Sequence, residues 1–274
     1  MNQNERLDYL IDSLKKESIR YKNLSMGNST EEKRKVLRSL MNVRMPADMD
    51  KETQRIQDDY LKERIKENGI VSLNEIKTID EFSSRRPQTE KISIWKGDIT
   101  RLKVDVIVNA ANSQMLGCFI PMHTCIDNCI HTFAGMQLRS ECYRQMNLKR
   151  IKYGQDYEQP TAEPLLTDGY NLPCRKIIHV VGPIVESKLK DSHRRQLSDC
   201  YRNCLDLCKE NGLRSIAFCC ISTGVFRFPN DEAAHIAVQT VTEWLEKNPD
   251  NIDRIIFNVF KDEDRRLYEQ ELSE

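Results

Sequence analysis

The stretch "MLGCFIPMHTCIDNCIH", residues 115–131, places three cysteines, two histidines and an aspartate within seventeen positions. Thiolates and imidazoles are the ligand set of zinc. Cys118, His123 and Cys125 form a C-x4-H-x-C pattern rather than a C-x2-C finger. Three protein ligands on one ion leave a fourth position for water or substrate, the arrangement of catalytic rather than structural zinc. Core packing of the cysteines and a disulfide are the other readings, and on the residues alone they stay open. Cys129 and His131 are two residues apart, so on a helix starting near Asp127 they point to different faces and read as structural.

A loop needs elements to hold it. The segment follows "VNAAN", which reads as the end of a buried strand. Beyond residue 90, "KISIW", "VDVIVNA", "KIIHVVG", "SIAFCCI" and "RIIFNVF" are short β-rich apolar runs. Helical patterns separate them at about 127–147, 191–211, 231–247 and 262–272. Alternation of this kind predicts an α/β fold: a mostly parallel sheet with helices on both faces. Ligands bind such sheets at the carboxyl ends of the strands. Those ends offer Gly97 and Asp98, then Asn109 and Asn112, then Ser222, Thr223, Gly224, Val225 and Phe226, and finally Phe260. The Ser-Thr-Gly segment precedes a helix, so its backbone amides and the helix N-terminus suit an anion such as a diphosphate. An ordinary βα turn is the competing reading, and Asp98 alone reads equally as a turn or N-cap residue.

The first eighty residues predict three amphipathic helices. Leu7, Leu10, Ile11 and Leu14 share one face. Ser29 and Glu32 open a second helix with a capping box, and Val36, Leu37, Leu40 and Met41 form its apolar side. A third ends at Gly69. None carries a catalytic constellation, and a helical extension packed on the main domain is expected, with a separate interaction module as the alternative. The polar, proline-bearing "DEFSSRRPQTE", 80–90, reads as a linker, giving an extension over 1–85 and a main domain over 86–274.

Composition narrows the function classes. Acidic and basic residues balance at 42 each, which argues against a nucleic-acid coat or a membrane-surface binder. No apolar run is long enough to span a bilayer and the charged start lacks a signal-peptide core, so a cytoplasmic protein with reduced cysteines is expected. Cys200, Cys204 and Cys208 recur every four residues, and Cys219 and Cys220 lie in an apolar run; all five read as packing residues.

The ordered series "GDIT…VDVIVNAAN…HTFAG…YNLPCRKIIHVVGP…ISTGVFRFP…NVFKDED" resembles the macrodomain family over roughly residues 91–274. That resemblance implies a three-layer α/β/α sandwich with a mixed, mostly parallel sheet that binds ADP-ribose. It implies adenine contacts from Asp98, Ile99 and Phe260. It implies diphosphate contacts from Ser222 to Phe226, with Phe226, Asn109 and Asn112 near the distal ribose. Asp127 matches the aspartate linked to catalysis in ordinary hydrolytic members, and Asn112 is retained as well. Where those members carry a glycine run, this chain has "GCFIPMHTC". The substitution is similar to the zinc-containing macrodomains of microbes, which also carry a helical extension and are associated with sirtuin-type ADP-ribosyltransferases. One zinc ion per chain on Cys118, His123 and Cys125 is therefore expected. So is removal of mono-ADP-ribose from protein Asp or Glu residues. A non-catalytic reader with structural zinc and a hydrolase of O-acetyl-ADP-ribose are the alternatives. Arg227 stands where ordinary members commonly have glycine.

Overall fold

The structure, a computed structural model, describes residues 1–82 and 88–273. The expected boundary at 85/86 and the centre of the expected linker lie outside the described residues. The chain forms two compact units. The first comprises Met1–Gly69, Gln114–Tyr157 and Tyr170–Leu172; the second comprises Ile70–Ser113, Glu158–Gly169 and Pro173–Glu274.

The first unit is helical. Helix α1 (Gln3–Glu17), α2 (Thr30–Val43) and α3 (Lys51–Asn68) follow the sequence pattern. Ser29 caps α2 with Glu32 reciprocating, and Gly69 ends α3 with a φ of 82°. Their apolar faces meet: Leu7, Leu10, Ile11, Leu14, Leu37, Leu40 and Met41 pack with Ile56, Tyr60, Leu61 and Met136. The helix predicted over 127–147 is instead two. Helix α4 (Ile126–Ala134) stops at Gly135, and α5 (Met136–Tyr153) starts there. Gly135 adopts a φ of 101°, open to glycine and closed to a continuing helix.

The second unit is built on strands β1 (Val71–Ser72), β2 (Ile92–Lys96), β3 (Leu102–Lys103), β4 (Val106–Ala111), β5 (Leu165–Asp168), β6 (Lys176–Val181), β7 (Ser215–Phe218) and β8 (Arg254–Val259). The main sheet runs β2-β8-β7-β4-β6-β5, while β1 and β3 pair separately. Only β5 is antiparallel to its neighbour, so the sheet is mixed and mostly parallel, as expected. Strand β7 is shorter than its apolar run suggests and releases Cys219 and Cys220 to the following segment. The unit also holds α6 (Asp191–Glu210), α7 (Asn230–Lys247) and α8 (Asp262–Ser273). Cys200, Cys204 and Cys208 are fully buried on α6. Burial pushes the Cys200 and Cys208 thiols up to about 12, so they pack as small neutral groups. Among the described residues no two cysteines are joined by a disulfide. Because β2, β8, β7 and β4 are parallel neighbours, their carboxyl ends share one edge of the sheet. Among the described residues no helix is long and apolar enough to cross a membrane.

Candidate active site and metal-ligand loop

The ligand loop belongs to the first unit. Its tight entry needs left-handed backbone at Met115 and Gly117, with φ values of 60° and 79°. Gly117 is required twice over, since a Cβ there would meet the His131 ring at 2.8 Å. The loop then folds back so that one ligand atom each from Cys118, His123 and Cys125 lies within 4.8 Å of the other two. Cys118 Sγ and His123 Nδ1 are 3.6 Å apart. Sulfur and nitrogen ligands on a tetrahedral zinc ion are separated by about 3.6 Å, from bond lengths of about 2.3 and 2.05 Å. The donor set and its spacing therefore fit zinc.

Cys125 is also the N-cap of α4, and its sulfur accepts from the Asn128 amide at 3.4 Å. Burial pushes its thiol up to about 12, with the helix amide acting in the opposite direction. A cation would have to displace that proton. Asp127 sits in the first turn of α4, only 5% exposed, with Oδ1 3.6 Å from His131 Nε2. His131 and Cys129 lie outside the three-ligand cluster. Arg139, which the sequence reading did not single out, donates to the carbonyls of Leu116, Met41, Asn42 and Arg44 and stacks its guanidinium 4.3 Å over the Phe119 ring. Desolvation pulls its pKa down to about 10, which leaves it charged at neutral pH.

The strand-end motifs belong to the second unit. Asp98 caps a short 3-10 turn, with its Oδ1 accepting from both the amide and the hydroxyl of Thr100. The N-cap reading of this residue is thus realised, and Oδ2 keeps its accepting capacity. Ile99 is buried beneath that turn. Asn109 is 0% exposed inside the sheet, where its Nδ2 lies 3.0 Å from His179 Nδ1 across the β4–β6 register. His179 Nε2 in turn lies 3.0 Å from Thr167 Oγ1. Burial lowers the His179 pKa to about 3, so the ring is neutral and can accept from the Asn109 amide. Asn112, just past β4, is half-buried. Asn109 is thus a member of the sheet interior, and Asn112 stands at its edge.

The segment after β7 is tightly folded. Ser222 has a φ of 66° and Arg227 a φ of 57°. Phe228 donates to the Ser222 carbonyl at 3.0 Å and Arg227 to that of Gly224 at 3.1 Å. The left-handed backbone at Arg227 is the physical reason glycine suits that position. Ser222 Oγ is buried with no hydrogen-bond partner among the described residues. Gly224, by contrast, has nothing within 4 Å of where a Cβ would stand. Neither backbone nor packing demands glycine there; close approach of a ligand would. Val225 and Phe260 are exposed, Phe260 by 77%. An aromatic left this open at a strand end is free to stack on a planar ring.

A Macro domain model matches residues 108–237. A protein-ADP-ribose hydrolase from Treponema medium is 47% identical over 273 residues, covering 100% of both chains. The chain belongs to the macrodomain family. A second protein-ADP-ribose hydrolase, from Staphylococcus aureus strain Mu50, is 40% identical over 270 residues, with 98% of this macrodomain protein and 95% of that one aligned. Among solved structures, the Trypanosoma brucei macrodomain in complex with ADP-ribose superposes with a TM-score of 0.64 at 28% identity, covering 89% of this chain and 96% of that one.

Proposed function

We propose that this macrodomain protein is a hydrolase that binds ADP-ribose and removes it from modified proteins, with zinc held by Cys118, His123 and Cys125. The full-length match to protein-ADP-ribose hydrolases supports the activity. The convergence of those three ligand atoms within 4.8 Å is the observation that carries the metal reading.

In the second unit the adenine is received by Asp98 Oδ2, the Ile99 backbone and the Phe260 ring. The diphosphate takes the amides of Ser222 to Phe226 and gives Ser222 Oγ a partner that it lacks among the described residues. Asn112 holds the distal ribose, with Phe226 against it. Asn109 acts from behind: His179 and Thr167 fix its amide, and the amide fixes the strand end that carries Asn112. Asp127 takes a proton from the attacking water. The water oxygen bonds to C1″, the bond from C1″ to the protein carboxylate breaks, and the carboxylate leaves as an anion. An acylal bond of this kind has a good leaving group, which favours Asp or Glu as the acceptor. When bound by Cys118, His123 and Cys125, zinc would supply Lewis acidity, easing ionisation of a nearby water towards neutral pH. A sirtuin-type ADP-ribosyltransferase is the kind of enzyme that would generate the substrate.

The test is release of free ADP-ribose, followed by mass spectrometry, from proteins modified at Glu or at Ser. Release from the Glu-linked substrate alone is expected. Tight ADP-ribose binding with no release from either would replace the hydrolase with a reader.

A further inference from the structure

His123 lies on the strained part of the ligand loop. Its amide donates to the Ile120 carbonyl at 3.2 Å, closing a turn with Pro121 and Met122 at the centre. Met122 has a φ of 58°. Pro followed by a positive φ is the type II pattern, whose second central position wants glycine or asparagine. Methionine is disfavoured there by its Cβ, so an isolated loop would tend to relax.

Helix α2 prevents that. Arg38 and Asn42 stand one turn apart on it. Asn42 Oδ1 accepts from the Met122 amide at 3.1 Å, and Arg38 Nη2 donates to the His123 carbonyl at 2.7 Å. The backbone is thus gripped on both sides of the His123 side chain. The same residues hold the start of α4. Arg38 Nη2 donates to Asn128 Oδ1 at 2.9 Å, and Asn42 Nδ2 donates to Thr132 Oγ1 at 2.9 Å. Asn128, with its amide so oriented, donates through Nδ2 to the carbonyls of Cys118 and Ile120 at 3.2 and 3.0 Å. Asn42 and Asn128 are fully buried, so water does not compete for these bonds.

We infer that Arg38 and Asn42 are positioning residues for the metal-ligand loop, and that the N-terminal helices are a built part of this site rather than a detachable module. Arg38 and Asn42 set the backbone of His123 directly and that of Cys118 through Asn128. The inference rests on the reading of Cys118, His123 and Cys125 as metal ligands.

The test uses the full chain and its Arg38→Ala, Arg38→Lys and Asn42→Ala variants, with Lys35→Ala as an exposed α2 control. Two readouts are taken: amide hydrogen exchange over 118–128, and uptake of Co2+ as a spectroscopic zinc substitute, titrated against a chelator. Arg38→Ala and Asn42→Ala are expected to speed loop exchange at least about tenfold and to weaken Co2+ binding by about 10–100-fold, the range for residues that orient ligands. Arg38→Lys keeps the charge but not both bonds, and falls between. Lys35→Ala matches the native chain. Native-like loop exchange and Co2+ spectra in both alanine variants overturn the assignment alone. A native chain that takes up no Co2+ overturns the metal reading and the assignment with it.

Discussion

The two regions proposed to carry the chemistry are held in place by opposite means. The strand-end motifs hang from parallel strands whose backbone ladders are continuous, and each motif sits within a few residues of its strand. The ligand loop has no ladder. A handful of side chains holds it, notably Arg38, Asn42, Asn128 and Arg139, and two of these come from a helix eighty or more residues upstream of the backbone they hold. A sheet edge distributes its support, so single substitutions there are absorbed. A loop pinned by a few buried hydrogen bonds concentrates its support, so single changes propagate.

The comparison breaks most visibly at the ligands. Cys118→Ser and His123→Ala should each lower turnover by about 10²-fold or more, while calorimetric ADP-ribose affinity, which the proposal assigns to the other unit, stays native. Equal loss of affinity would show that the regions do not work separately. Gly182→Ala attacks the strand-end region from inside. Its new Cβ would stand 2.0 Å from Ser222 Oγ and 2.8 Å from Ile221 Cγ2, so those side chains must give way. Overpacking of this kind costs about 1–3 kcal/mol, read by denaturant unfolding, with weaker ADP-ribose binding and unchanged metal content.

Acid should reach the strand region through His179. Its native pKa is about 3, against about 6.5 when unfolded, so below pH 6.5 the unfolded state binds more protons than the native one. The His179 contribution to stability is complete above pH 6.5 and declines by up to about 1.4 kcal/mol per unit as pH falls towards 3. Urea midpoints between pH 7.5 and 5 should drop accordingly, and His179→Leu should flatten that slope. Gly224→Ala sharpens the comparison with the smallest effect. With empty space around it, the methyl should leave stability within about 0.5 kcal/mol of native and yet weaken ADP-ribose binding several-fold, because it meets the ligand and not the protein.

Legibility from sequence follows the same division. The strand ends that carry Asp98, Asn112, the 222–226 segment and Phe260 are legible because each follows a local β-rich run with small or polar residues; Ile99 enters only through the family resemblance. The Ser29 capping box and the Gly69 stop were readable for the same reason. The C-x4-H-x-C spacing suggested a cluster, and the fold brings its atoms together. What the sequence hid is long-range. Nothing in "LRSLMNV" announces that Arg38 and Asn42 serve residues 122–132. The Asn109–His179 pair depends on β4 lying beside β6 in one register, which no local pattern encodes. Strand β5, four residues of "LLTD", is too short for its alternation to stand out. The break at Gly135 was obscured by apolar periodicity on either side of it.

The most direct measurement combines metal analysis of the purified chain with turnover of a Glu-linked mono-ADP-ribosylated protein before chelation, after it, and after zinc is returned. The expected result is close to one zinc per chain, loss of turnover on chelation with ADP-ribose binding retained, and recovery with zinc. Undiminished turnover in a chain shown to be free of metal would contradict the role assigned to Cys118, His123 and Cys125.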